Sequence, residues 1–330
     1  MQRFFSVKWI SAYIGIFIIL MWIVALFWSV EPDLFEPREL AAAQARQYNE
    51  QVVPGYTVTS TLITVSETLL NKSGGYLSND VLPPSVMMDD MPSWEFGVLE
   101  MTRDLALAMR KDLSRSQSQS IENRFLTKAQ PLFNNNHLDW LLPSAESRYQ
   151  EGIDYLYQYR SSLADVSQDK GQFYARADNL RDWLKQVEKR LGSLSQRLSA
   201  SVGQERLDTS LAGDPQASQS TPSAQRLTDK TSWWQLDNNF YEARGASWAL
   251  LHFLKAVEVD FADVLEKKNA RISLQQIVRE LEATQEGIWS PMILNGSGFG
   301  LLANHSLVMA NYISRANAAL IELTELLNQG

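Results

Sequence analysis

Trp9 to Val30 runs for twenty-two positions without a charge. As a helix, at ~1.5 Å per residue, such a run is roughly 33 Å long, enough to cross the hydrocarbon core of a bilayer. Trp9 and Tyr13 stand at one end and Trp28 at the other, where amphipathic rings settle at a membrane–water interface. No second run of this kind follows. The expected organisation is a soluble body tethered to the lipid bilayer through Trp9–Val30, with residues 1–8 as a short cytoplasmic tail.

A cleaved signal peptide is the competing reading. It would carry an apolar core of ~7–15 residues followed by a small-x-small cleavage site. Here the run is longer, contains bulky Trp22, Phe27 and Trp28, and meets Glu31-Pro32-Asp33 directly. The nearest small-residue cluster, Ala41 to Ala43, lies beyond Phe35, Arg38 and Glu39. A retained anchor is therefore expected. Arg3, Lys8 and the α-amine precede the span, against Arg38 and Arg46 in the next twenty residues. The amine and the closeness of Lys8 favour a cytoplasmic N-terminus, which puts the chain in the inner membrane with its body in the periplasm. The absence of cysteine excludes disulfides and thiol catalysis.

All thirty-eight acidic residues follow the span, with twenty-eight of the thirty basic ones, so the body carries a net charge of −10. A surface of that sign does not neutralise phosphates, and no nucleic-acid partner is expected. Its hydrophobic spacing is helical. Leu180, Leu184, Val187, Leu191, Leu194 and Leu198 repeat at intervals of four and three, a seam that packs on a partner helix within the chain or on another copy. Leu250, Leu254, Val257 and Phe261 repeat the pattern, as do Met309, Ile313, Ala316, Leu320, Leu323 and Leu327. Tyr56 to Val65 is rich in β-branched residues but has no partner run, so it too is read as helix. The expected fold is all-α: a long-helix bundle on a single N-terminal transmembrane helix. Residues 204–231 are Ser, Gln, Thr, Asp, Gly and Pro with few apolar side chains, the composition of a flexible polar linker. It separates a helical region 31–203 from a C-terminal helical region 232–330, which either dock as one unit or stand apart.

Residues 74–95 form the densest aperiodic stretch. Asp80, Asp89, Asp90 and Glu95, with Trp94 beside them, are candidate ligand-binding residues for a divalent cation or a glycan. The plainer reading is a loop in which Asp90 caps a helix with Pro92 in its first turn. Asn295-Gly-Ser-Gly-Phe-Gly lacks the Lys of a phosphate loop and reads as a turn into the last helix. His137, His252 and His305 show no metal-ligand spacing, and no catalytic residue, metal or cofactor is assigned. Asn304-His305-Ser306 reads as a capped helix start. Trp233-Trp234 with Phe240 and Tyr241 reads as core ahead of glycan stacking.

Several phrases carry a resemblance. Gly74-Gly-Tyr-Leu-Ser-Asn-Asp, Met91-Pro-Ser-Trp-Glu-Phe-Gly-Val-Leu and Arg115-Ser-Gln-Ser-Gln-Ser are three of them. Phe173-Tyr-Ala-Arg-Ala-Asp-Asn-Leu-Arg-Asp-Trp-Leu, the segment 188–203 and Ala303-Asn-His-Ser-Leu-Val-Met-Ala-Asn-Tyr are others. Together they resemble a proteobacterial family of uncharacterised single-span inner-membrane proteins, catalogued as a domain of unknown function. That resemblance implies a Gram-negative inner-membrane location and supplies no reaction or site residue. The residues themselves favour a non-enzymatic envelope scaffold or adaptor. Its seam, at Leu184, Val187, Leu191, Leu194 and Leu198, would engage a protein partner or a second copy. The alternatives are a ligand-binding module using residues 74–95 and, after it, a hydrolase built on His252 or His305.

Overall fold

The computed structural model of the protein describes residues 7–117, 119–165, 171–207, 226–290, 292–297 and 301–329. Most of the tail 1–8, the middle of the 204–231 segment and the end of the glycine-rich turn at 298–300 lie outside these residues.

The fold is all-α. The apolar run is α1 (Val7–Trp28), which projects from the body with none of its span buried. It is long and apolar enough to cross a membrane. Then come α2 (Pro37–Tyr48), α3 (Tyr56–Asn71) and α4 (Asp90–Ala108), the last running on into a π-helical turn at Met109–Leu113. They are followed by α5 (Arg124–Phe133), α6 (Ala145–Ala164) and α7 (Ala177–Ser199). After the 204–231 segment come α8 (Leu236–Asp260), α9 (Ala262–Lys267), α10 (Arg271–Ala283) and α11 (His305–Asn328).

Helix α3 shows how a β-branched segment becomes a buried helix. The hydroxyls of Thr59, Thr61, Ser66 and Thr68 each donate to the carbonyl four residues back, so their polar atoms are satisfied inside the helix. Its first turn is capped from outside: the Val58 amide donates to Asp260 Oδ2 at 2.8 Å, from the end of α8. The Leu180–Leu198 seam of α7 is buried against α11 of the same chain. Helices from both sides of the 204–231 segment share one continuous core, and α4 against α8 is its most extensive pairing. Two glycines allow that approach. A Cβ on Gly97 would stand 2.0 Å from the Glu242 carbonyl oxygen, and one on Gly245 would stand 2.0 Å from that of Trp94.

The ends of the polar segment differ from expectation. Gln204–Leu207 (β1) and Arg226–Asp229 (β2) pair antiparallel, Gln204 opposite Asp229 and Leu207 opposite Arg226. Four-residue strands whose partners lie so far along the chain leave no local trace in composition. Residues 208–225, the rest of the expected linker, lie outside the described residues.

Candidate functional site

An elaborate polar construction forms the junction of the body with α1. Glu31, three residues past the helix, meets Arg244, whose Nε lies 2.8 Å and 2.7 Å from the two carboxylate oxygens. The same guanidinium donates to the carbonyls of Thr284, Gln285 and Glu286, at the C-terminus of α10. Arg244 is 6% exposed, so this charge is stable there only because each face of its fork is used. One side chain thus fastens the chain just past α1 to both α8 and α10.

Two further contacts complete the junction. Phe35 stacks on His252, ring centroids 3.9 Å apart, and its amide donates to Nε2 at 3.1 Å. His252 Nδ1 stands 2.7 Å from the Trp248 carbonyl, which requires the proton on Nδ1 and the lone pair on Nε2. Burial holds this imidazole neutral, with its pKa lowered to about 4. On the other side Trp28 lies against Gly74. With φ at +84°, and with Trp28 Cγ 2.7 Å from where a Cβ would be, this position excludes a side chain.

The loop that carries Gly74 is held by Glu95. Its carboxylate accepts from the amides of Leu77 and Ser78, each at 2.8 Å, and from the Ser78 hydroxyl at 2.5 Å. It also pairs with Lys72 at 2.5 Å, while Lys72 donates to the Gly75 carbonyl. Both side chains are out of water. All of these partners belong to the chain, so Glu95 organises the loop and presents no oxygen to a ligand. Trp94 is likewise fully buried, against Trp248.

The family whose description is "uncharacterized protein conserved in bacteria (DUF2333)" matches residues 2–330. The chain belongs to this family. No curated protein and no solved structure matches it. The whole described body is thus family territory, junction included.

The other candidate residues fall as follows. Asp80 and Asp89 line one open cleft of about 400 Å3 together with Phe96 and His137. Among the described residues no three carboxylate, histidine or cysteine side chains are placed to hold a metal ion. Asp90 does not cap α4. It is the first helical residue, and Asp89 takes the cap position with no side-chain bond to the helix. Asp89 has φ −116° and ψ −26°, already close to helical, so its carboxylate does not reach back over the first turn. Asp90 instead turns inward, where burial and then the charges of Asp237, Asp89 and Glu31 raise its pKa to about 7. Asn304 does cap α11, accepting from the Leu307 amide at 2.8 Å. His305 Nδ1 accepts from the Leu294 amide at 2.9 Å, which leaves the proton on Nε2 and no basic lone pair. Leu184, Val187, Leu191, Leu194 and Leu198 are all buried within the chain. Trp233 and Trp234, expected in the core, are exposed. They sit in a short turn ahead of α8, outside its buried face.

Sequence reasoning missed Glu31 and Arg244. The available signal was Arg244 itself, a lone cation in Ala243–Leu254, where the neighbours are small, aromatic or aliphatic on every face. A guanidinium in such a helix has to be paired.

Proposed function

We propose that the protein is a non-enzymatic envelope scaffold or adaptor, anchored in the inner membrane by α1, with its helical body in the periplasm. The observation that carries this reading is the junction. Glu31–Arg244, Phe35–His252 and Trp28–Gly74 join the body to the end of α1 without a spacer. A tethered enzyme or solute binder gains from a flexible stalk that widens its reach; a scaffold gains from a fixed position and orientation. The inward-facing Glu95 and Trp94, and the committed ring nitrogens of His252, lend nothing to binding or hydrolysis at those residues.

In vivo proximity crosslinking of the full-length protein, with mass spectrometry of the captured species, tests this. A reproducible protein partner, lost when residues 31–330 are replaced by an unrelated folded domain on the same anchor, is the expected result. Capture of the same species by the replaced version would remove the adaptor reading.

A further inference from the structure

Two loops of the body, one before α4 and one before α6, are stitched together. Asn79 Nδ2 donates to the Asp139 carbonyl at 2.8 Å and to Glu146 Oε2 at 2.7 Å, and the Tyr76 hydroxyl donates to the His137 carbonyl at 3.2 Å. Both loops leave apolar side chains bare. Val86, Leu138, Trp140 and Leu141 are each more than half exposed, Met87 is 80% exposed and Leu142 94%. Single bare apolar residues are ordinary on a surface, whereas a group of them held in one place marks a contact site.

The same loops form two clefts that meet. The cleft of about 400 Å3 that holds Asp80 and Asp89 is also lined by Leu77, Val86, Met88, Phe96 and Leu138. Leu138 is at the same time a wall of a second cleft, of about 510 Å3, whose other apolar walls include Trp140, Leu141 and Leu142. Together they make an elongated groove, suited to a stretch of chain more than to a compact solute.

Charge narrows the occupant. Three carboxylates, Asp80, Asp89 and Glu242, line the first cleft, and no Lys or Arg does. Glu242 is paired with Arg197, but Asp80 and Asp89 are exposed and meet no cation among the described residues. The nearby Arg103 is taken by Glu100. His137 adds no positive charge at neutral pH, because burial and then Arg103 lower its pKa below the ordinary value. The second cleft carries one charge of each sign, Asp139 and Arg148, and Arg148 is paired with Glu151. The surplus along the groove is therefore negative, and it lies at the Asp80–Asp89 end.

We propose that this groove docks a basic amphipathic segment of a protein partner, with its apolar side chains in the two clefts and its Lys or Arg beside Asp80 and Asp89. This rests on the adaptor reading above and names the chemistry of the partner. An amphipathic segment laid in an apolar groove takes its affinity from the buried side chains, and the charges at the rim set its identity and register. The stitching through Asn79 and Tyr76 holds the groove formed before the partner arrives, which lowers the ordering cost of binding.

Site-specific photocrosslinking in the cell tests this. In the full-length protein p-benzoylphenylalanine replaces Met87, Leu141 or, as a control, Lys185, an exposed residue of α7. A protein should be captured at 87 and 141 and not at 185. Its crosslinked peptide, mapped by mass spectrometry, should carry Lys or Arg among apolar residues. Capture should fall at least about tenfold in Asp80→Lys/Asp89→Lys, and return when the cations of the mapped peptide are changed to Glu. Both acids are exposed, so folding should survive, and circular dichroism verifies it. A peptide without cations, or capture indifferent to the charge reversal, rejects the proposal. So does capture of phospholipid or of a second copy of this chain at 87 and 141. A partner found by proximity crosslinking or at 185, with nothing at 87 and 141, rejects the groove and leaves the adaptor reading standing. No partner by any of these routes overturns the adaptor reading, and the groove with it.

Discussion

The seam on α7 and the exposed tryptophans at 140, 233, 234 and 289 are both large apolar groups, and the chain treats them oppositely. The seam recurs every three or four residues and is buried inside the chain, chiefly against α11. The tryptophans follow no period, come from loops and turns, and remain bare. A periodic stripe is what gives a helix a fixed place in a bundle, so it tends to be consumed in folding the chain that carries it. Apolar side chains on irregular segments answer to no such demand. In a helical protein of this kind, surfaces for outside contacts are better sought in the aperiodic stretches than in the regular seams.

The strongest way to break that contrast is Leu191→Asp. A carboxylate placed at the centre of the α7–α11 contact finds no partner, and the loss should be about 4 kcal/mol or more, enough to leave the body unfolded. Thermal melting of the detergent-solubilised full chain reads this out. A variant that melts like the parent but sediments as a smaller species would mean that the seam joins two copies, against what the fold implies.

Next in size is Arg244→Met, which keeps the bulk and removes the fork. Glu31 is left without its counter-charge and three carbonyls of the α10 terminus lose their donor, a cost of about 3 kcal/mol. The more telling readout is geometric. The distance distribution between spin labels at Ser29 and Lys185 should broaden, because α1 would no longer be fixed to the body. An unchanged distribution would show that Phe35 and Trp28 suffice for the junction.

What could be read from the sequence follows the same division. The long apolar N-terminal helix is legible from its uninterrupted apolar run, and the α7 and α11 stripes and the helical character of Tyr56–Val65 are legible as well; for the two stripes, burial of one face imposes a period that neighbouring residues report. The junction is not. Glu31 and Arg244 are 213 residues apart, and nothing local marks the acid as half of a pair. Glu95 looked like a ligand-facing acid because its four donors come from a loop whose path the sequence does not give. The cap pattern that points to Asp90 is fulfilled equally well by Asp89, and one residue of phase is below what such patterns resolve. Trp233-Trp234 reads as core because buried aromatic pairs near a helix start are common, and an indole kept at a surface looks the same in sequence.

The smallest expected effect separates the junction from the seam by pH. The seam is Leu and Val and does not titrate; His252 in the junction and Asp90, which feels the charge of Glu31, are shifted in opposite directions. Asp90 has its pKa raised to about 7 in the fold from an ordinary value of 3.8, so the folded state binds the extra proton between these limits. Its contribution is complete below about pH 4 and is lost as the pH rises through 7. His252, lowered to about 4 from 6.5, works the other way: its contribution is complete above pH 6.5 and is lost as the pH falls toward 4. The two slopes oppose each other in the parent protein. Asp90→Asn removes one of them. A shift of that size carries roughly 4 kcal/mol for a group shielded from water, but Asp90 is only half-buried and solvent screens most of it, so the variant should gain about 1 kcal/mol at pH 7.5 and change little at pH 4. Its stability should then climb more steeply between pH 4 and 6.5 than that of the parent, driven by His252. Denaturant titrations at closely spaced pH values would show this, and an equal gain at both ends of the range would mean that the asparagine acts through packing and not by relieving a buried charge.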